Sequence, residues 1–285
     1  MIDLHLHSTA SDGELSPSRL VEEAAIAGVT TMALTDHDTI SGINEAIEAG
    51  KKLSVTVIPG IEISTSHKDV RGEIHLIGLF IDYTNNDFLE KLKILSIYRK
   101  ERNEELIKRF HNLSIELDLN LLFDNGKKNT STIGKPDFAR TLLAQNLIHN
   151  EGEAYGKFMD DKTGLAYVEK AHLNLPDAIQ IIHKARGIAI LAHPFHITNN
   201  YDSLLNIVSE MAENGLDGIE VFYNNYNRKQ IKSLKNIAKH CSLIKSGGSD
   251  LHYLNSSRGS KLGFYGVKKN IPDSLLDDMP SLFSN

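Results

Sequence analysis

Short apolar runs recur along the chain, and most of them end at a histidine or an acid. Residues 2–6, 31–35, 55–63, 74–81, 188–192, 218–222 and 243–246 read as strands. Helical patterns fill most of the gaps between them. Ser16-Pro17-Ser18 offers a capping hydroxyl and a first-turn proline to a helix over 19–27, which Gly28 ends. A second helix spans 42–53, with Ile43, Ala46, Ile47 and Ala49 apolar. Helices over 176–186, 203–214 and 228–240 lead into the last three strands. Seven strands that mostly alternate with helices predict an α/β fold with a largely parallel sheet. Strands 55–63 and 74–81 follow one another with only a short loop between them.

Between about residues 83 and 170 the strand rhythm stops. Phe88, Leu89, Leu92, Leu95, Leu106 and Phe110 recur at roughly helical spacing over 87–112. Gly134-Lys135-Pro136-Asp137 opens another helix, and 153–159 reads as a short third. The chain thus divides into strand-bearing segments, 1–82 and 171–285, and a helical insertion over 83–170 after the fourth strand. Nothing repeats internally at a fixed period.

What ends each strand carries the chemistry. His5 and His7 flank Leu6, and the two-residue period of an extended chain puts both imidazoles on one face. Imidazole suits several borderline metals, so such a pair can begin a metal site. The pattern then repeats. Asp12 lies in the loop after the first strand, Asp36-His37-Asp38 after the second, Glu62 and His75 on the third and fourth, His193 after 188–192, and Asp250-Leu251-His252 after the last. Any one of these reads equally well as a buried, hydrogen-bonded side chain; six histidines and three carboxylates at successive strand ends do not. An open doubly wound sheet gathers ligands at a single crevice. A ring of strands lets nearly all of them contribute at one mouth, so the motifs select a barrel. A carboxylate can bridge two cations where an imidazole cannot, which makes Glu62 the best bridging candidate.

His5-Leu6-His7, Asp12-Gly13, Thr35-Asp36-His37-Asp38, Gly60-Ile61-Glu62, His75-Leu76-Ile77-Gly78, Ala192-His193-Pro194 and Gly248-Ser249-Asp250-Leu251-His252 occur in this order. Together they resemble the full motif series of the PHP (polymerase and histidinol phosphatase) domain, strongly over 1–82 and 171–270 and more loosely between. Within that family the chain looks most like stand-alone bacterial proteins that hydrolyse phosphate from nucleotides, including 3',5'-nucleoside bisphosphates. Some of those are also 5'-to-3' exoribonucleases on short RNA. The resemblance implies a distorted seven-stranded (β/α) barrel, with the helical insertion over its mouth as a substrate-binding cap. It also implies three divalent ions per chain, Mn, Fe or Zn. His5, His7, Glu62 and Asp250 would hold one, Glu62, His75 and His193 a second, and Asp12, His37 and His252 a third. Such a cluster would supply a metal-bridging hydroxide as nucleophile and offset the charge on the phosphoryl oxygens, with no side chain as nucleophile. For phosphates away from the metals the candidates are Lys135 and Arg140 and, after the last motif, Arg258. Similar proteins often have Arg-Pro-His where this chain has Lys135-Pro136-Asp137.

Composition narrows the classes further. The 41% hydrophobic and 24% charged content is that of an ordinary globular protein. A formal net charge of −6 speaks against a broad non-specific nucleic-acid surface but not against a local basic pocket. Residues 91–109 hold seven basic side chains against three acids, which reads as a solvated helix face or as a track for a short RNA backbone. Asp36 and Asp38 read as groups that orient His37, and Glu220 and Tyr223 as side chains that shape the mouth. Cys241 is the single cysteine, so no internal disulfide forms. With no signal-peptide pattern at its start and no apolar run of bilayer length, the chain is expected in the cytoplasm and away from membranes. Its expected partners are a phosphorylated small molecule or nucleotide and short single-stranded RNA; no oligomeric state is predicted. Three other readings fit less well. Amidohydrolase barrels also begin with His-x-His but usually rely on a lysine bridge. A histidinol-phosphate or other small-metabolite phosphatase would favour a shorter insertion. A non-catalytic metal-binding module would not need the complete ligand set.

Overall fold

The apolar runs pair edge to edge into one sheet that curls almost into a ring. The computed structural model describes residues 1–123, 130–131, 133–161, 163–169, 171–254, 260–266 and 269–279. In chain order the elements are β1 (Ile2–Leu6), α1 (Pro17–Ile26), β2 (Thr31–Leu34), α2 (Ile43–Leu53), β3 (Thr56–His67) and β4 (Val70–Leu79). There follow α3 (Asn86–Asn112), α4 (Leu119–Leu122), α5 (Lys135–Ala144), α6 (Glu151–Ala154), β5 (Leu173–Asn174), α7 (Leu175–Lys184) and β6 (Ile188–Leu191). The last are α8 (Tyr201–Glu213), β7 (Gly218–Tyr223), α9 (Arg228–His240) and β8 (Ile244–Gly248).

The sheet order is β1-β2-β3-β4-β6-β7-β8, with the short β5 beside β3. The ends meet where the His7 amide donates to the Leu251 carbonyl at 3.2 Å and the Asp250 amide to the His5 carbonyl at 2.9 Å. Gly248 permits this approach, since a Cβ there would lie 2.2 Å from the Cβ of His5. The result is the expected distorted barrel of seven strands. The sheet is mixed rather than largely parallel, because β4 runs antiparallel to both β3 and β6. Only Lys68 and Asp69 separate β3 from β4, and so short a link closes a hairpin; a parallel return needs roughly a dozen residues or more. One large apolar core runs through the barrel, with Leu4, Ile61, Leu76, Leu191 and Ile219 all fully buried, and a smaller cluster with Leu6, Leu20, Met32 and Leu34 packs α1 on β1 and β2.

The 27-residue α3 spans two cores. Asn85 caps it, its side chain accepting from the Phe88 amide at 3.0 Å. Phe88, Leu92 and Leu95 on its first half pack into the barrel core. Leu106 and Phe110 on its second half join Phe138, Leu142 and Phe158 in a separate cluster. Asn103, between the halves, is buried and donates to the carbonyls of Thr130 at 2.6 Å and Ile133 at 2.9 Å, which ties the following segment back to the helix. No helix among the described residues is long and apolar enough to cross a membrane.

The Phe110 ring is fully buried and packs against Phe138 and Phe158 at centroid distances of 6.2 and 5.4 Å. Phe110→Ala is expected to destabilise the protein by about 3–5 kcal/mol, as aromatic truncation in a packed core does. Urea unfolding followed by circular dichroism measures this. A shift in midpoint worth less than about 0.5 kcal/mol would show that this ring does not hold the second cluster together.

Candidate metal centre

Glu62 lies on β3 past the last pairing with β2, and its side chain is buried at the centre of the mouth. Its Oε2 is 3.3 Å from His5 Nε2, 3.2 Å from His7 Nε2 and 3.2 Å from His37 Nδ1. Its Oε1 is 3.0 Å from both His75 Nδ1 and His193 Nε2. Five imidazoles from β1, β4 and the loops after β1, β2 and β6 therefore converge on one carboxylate. Asp250 Oδ1 sits 3.4 Å from His5 Nε2 and 3.2 Å from His7 Nε2. Asp12 lies 3.3 Å from His252 Nε2 and 3.7 Å from both His7 Nδ1 and His37 Nε2. All nine residues picked out in the sequence are brought to one place.

The local backbone is bent to achieve this. His193 (φ 29°) and Asp250 (φ 51°) follow their strands in the left-handed region, which costs free energy for any residue but glycine. The bends turn both side chains from the strand direction into the mouth. Neighbouring bonds then fix them. Glu220 on β7 is fully buried, bonds to His5 Nδ1 at 3.0 Å and accepts from the His193 amide at 2.7 Å. It thereby leaves His5 Nε2 facing Glu62 and Asp250. The Tyr223 hydroxyl donates to Asp250 Oδ2 at 2.8 Å. Glu220 and Tyr223 thus act directly on ligand candidates. Asp36 serves the loop after β1 instead, accepting from Ser8 and Ser11. Asp38 accepts from the Ser64 amide at 3.0 Å and pairs with Arg99 at 2.7 Å.

The donor set fits divalent cations. His5 Nε2, both ring nitrogens of His7, His37 Nδ1 and His193 Nδ1 are buried without a hydrogen-bond partner, an arrangement that costs free energy unless something else satisfies them. Three overlapping groups have ligand atoms within 4.8 Å of one another: His5, His7, Glu62 and Asp250; His7, Asp12, His37 and His252; and His37, Glu62 and His75. The first coincides with the expected grouping, and the second is the expected one with His7 added. In the third, His37 stands where His193 was expected, although His193 touches the same Glu62 oxygen as His75. The electrostatics agree with a cation site. Burial would raise Asp12, Glu62 and Asp250, yet the imidazoles around them hold all three well below the usual carboxylate range. Burial would lower His7, but the carboxylates of Asp250 and Glu62 beside it hold it up at about 10. His75 rises against burial to about 9 beside Glu62. His37 is pushed down by burial to about 3.

The wall opposite the cluster comes from the segment between β4 and β5. A cavity of about 510 Å³ is lined by every cluster residue except His5 and His7, together with Arg99, Arg102 and Lys135. Arg99 and Arg102 are 5% and 6% exposed, so the basic stretch of α3 is not simply a solvated face. Arg102 has no ion pair or hydrogen bond among the described residues, and burial holds its guanidinium down at about 10. The signal was present in the sequence: both arginines fall on the buried stripe Phe88, Leu92, Leu95, Arg99, Arg102, Leu106, Phe110. Lys135 lines the mouth with its ammonium 5.8 Å from the Tyr167 ring. Arg140 is paired with Asp137 at 2.5 Å and lies 4.3 Å over the ring of Tyr253, whose hydroxyl donates to the Asp12 carbonyl at 2.8 Å. Arg258 lies outside the described residues.

A group whose folded pKa is raised contributes its full stability below its unfolded value, near 6.5 for histidine, and loses it as pH rises through the folded value. With His75 at about 9 and His7 at about 10, protein stripped of metal by a chelator is expected to lose thermal stability steadily from about pH 6.5 to about pH 10. Protein loaded with Mn²⁺ is expected to vary much less over that range, because bound cations take over the role of the protons. Melting temperatures across the range, with and without chelator, test this. A flat profile for the stripped protein would contradict it.

Residues 3–252 match the family model described as the PHP domain. Over 252 residues the chain is 34% identical to the 5'-3' exoribonuclease of Haemophilus influenzae, covering 88% of this chain and 89% of that one. Over 256 residues it is 29% identical to the 3',5'-nucleoside bisphosphate phosphatase of Chromobacterium violaceum, covering 88% and 87%. A crystal structure from Bifidobacterium adolescentis, provisionally described as a metal-dependent phosphoesterase, superposes with a TM-score of 0.84 at 25% identity, covering 99% of this chain and 97% of that one. On the order of its motifs, the geometry of its mouth and these likenesses, the chain belongs to the PHP domain family.

Proposed function

We propose that this phosphoric ester hydrolase removes phosphate from nucleotides, 3',5'-nucleoside bisphosphates and nucleoside monophosphates among them, and acts on short 5'-phosphorylated RNA. The observation that carries the reading is a single cavity lined by the cluster residues other than His5 and His7, which lie behind Glu62, together with Arg99, Arg102 and Lys135. A site built this way accepts an anion with more charge than the metals alone need. The names of the two curated relatives supply the nucleotide and RNA classes.

His5, His7, Glu62 and Asp250 would hold one divalent ion, Glu62 and His75 with His193 or His37 a second, and Asp12, His37 and His252 a third. Ions held there supply acidified water near neutral pH and positive charge against the phosphoryl oxygens. The chain's own residues do the rest. Glu220 and Tyr223 keep His5 and Asp250 in place. Arg102 and Lys135 grip phosphate oxygens distant from the ions. Arg140 braces the wall through Asp137 and Tyr253 rather than touching substrate. Residues 83–170 act as a cap that keeps bulk water from the reacting phosphate.

Phosphate release in the presence of Mn²⁺ is the test, with 3',5'-bisphosphates, nucleoside monophosphates, histidinol phosphate and short 5'-phosphorylated RNA compared. Nucleotide substrates are expected to lead; turnover confined to histidinol phosphate would sink the reading. Metal analysis is expected to find more than one ion per chain. Removing outer partners of metal ligands costs about ten- to a hundredfold, so Glu62→Gln, which alters a central ligand, is expected to lose more than about a hundredfold in kcat while remaining folded. Arg102→Ala is expected to raise KM about ten- to a hundredfold for bisphosphates, the size of one charge-assisted contact. Full activity in either variant would remove that residue from its assigned role.

A further inference from the structure

A second cavity, of about 420 Å³, adjoins the metal centre and shares His37 and Arg99 with its mouth. One wall is the loop after β2, with Thr39, Ile40 and Ser41; the other is α3, with Leu89, Leu92 and Ser96. Leu89, Leu92 and Ser96 are spaced along one helix face, so the cavity runs along α3 away from Arg99. Its charges are balanced within itself. Arg99 pairs with Asp38 at 2.7 Å, and Lys93 with Glu90 at 2.8 Å. The mouth is different, for there Arg102 is buried without a partner among the described residues.

A second phosphate is therefore poorly matched to this cavity. What matches is an uncharged group with apolar faces and hydroxyls, set against aliphatic side chains and the hydroxyls of Thr39, Ser41 and Ser96. The volume lies in the range of small-molecule sites, roughly 300–1,000 Å³. We infer that this cavity receives the nucleoside portion of the substrate, ribose and base, while its phosphate is held at the metal centre. The inference rests on the nucleotide reading above. No phenylalanine or tyrosine lines the cavity, so the base lies against Ile40 and Leu89 rather than stacking on a ring. Purine and pyrimidine nucleotides should therefore be used within a few-fold of one another.

Filling the cavity tests this without touching the metal centre. Ser96→Trp projects from α3, where Ser96 is half-buried, and Ser41→Trp projects from an exposed position on the opposite wall. With Mn²⁺-loaded full-length protein, kcat/KM is measured for adenosine 3',5'-bisphosphate, a 5'-phosphorylated trinucleotide and glycerol 2-phosphate, whose leaving group is too small to need the cavity. Both variants are expected to lose at least tenfold on the bisphosphate, mainly in KM, while glycerol 2-phosphate stays within twofold and the melting temperature holds. Should Ser96→Trp fail to fold, Ser41→Trp decides alone. Equal losses on both small substrates, no loss on the bisphosphate, or a loss confined to the trinucleotide would each overturn the inference, the last by showing that the cavity takes the continuing RNA strand. A wild-type protein that turns over glycerol 2-phosphate but no nucleotide would instead overturn the nucleotide reading, before any variant is made, and this inference with it.

Discussion

One buried carboxylate with five imidazoles around it sets the terms for the whole mouth. Glu62 cannot be placed 3.0–3.3 Å from His5, His7, His37, His75 and His193 unless four parts of the sheet meet at one height. Charge concentrated this way is costly in a low-dielectric interior unless it is neutralised. In the protein alone protons on His5, His7 and His75 do this, so these imidazoles are held high while the carboxylates are held low. Divalent cations satisfy the same requirement and also engage the buried ring nitrogens that lack partners.

The barrel is built to serve that demand, and its irregularities have local causes. β4 runs against its neighbours because a two-residue link allows nothing else, and the reversal delivers His75 from the strand itself rather than from a loop beyond it. The ring closes between β1 and β8 only because residue 248 is a glycine. Asp3 on β1 reinforces the seam by accepting from the amides of Ser249 and Gly263 at 2.9 and 2.8 Å. Burial raises its pKa to about 6 in spite of those bonds, a sign of how dry the seam is.

α3 links this centre to the rest of the chain between β4 and β5. A single stripe of the helix is apolar at both ends and cationic in the middle, so packing on two cores holds Arg99 and Arg102 at the mouth beside the cluster. Arg99 is neutralised by Asp38, which follows His37 directly in sequence. The loop after β2 and the cationic wall are therefore physically coupled, and the Arg99–Asp38 pair stands where the mouth and the cavity beside it adjoin.

The sequence by itself determined the strands, the barrel and the nine residues at its mouth, because each signal is local. A two-residue period fixes which side chains share a face, and a strand end followed by histidine or acid needs no partner to be seen. Only the tertiary structure decided the direction of β4, the roles of Glu220 and Asp38, and the fate of the arginines on α3. Hydrogen bonds from Glu220 to His5 and His193 join residues far apart in the chain. The basic stretch at 91–109 looks solvated when charges are counted, yet the stripe that carries Arg99 and Arg102 is the one that packing buries. Lys135 and Arg140 looked alike in sequence; in the structure Lys135 lines the mouth beside the Tyr167 ring, and Arg140 pairs with Asp137 and lies over Tyr253. Local chemistry names the groups; burial and pairing, which depend on distant residues, decide where each of them stands.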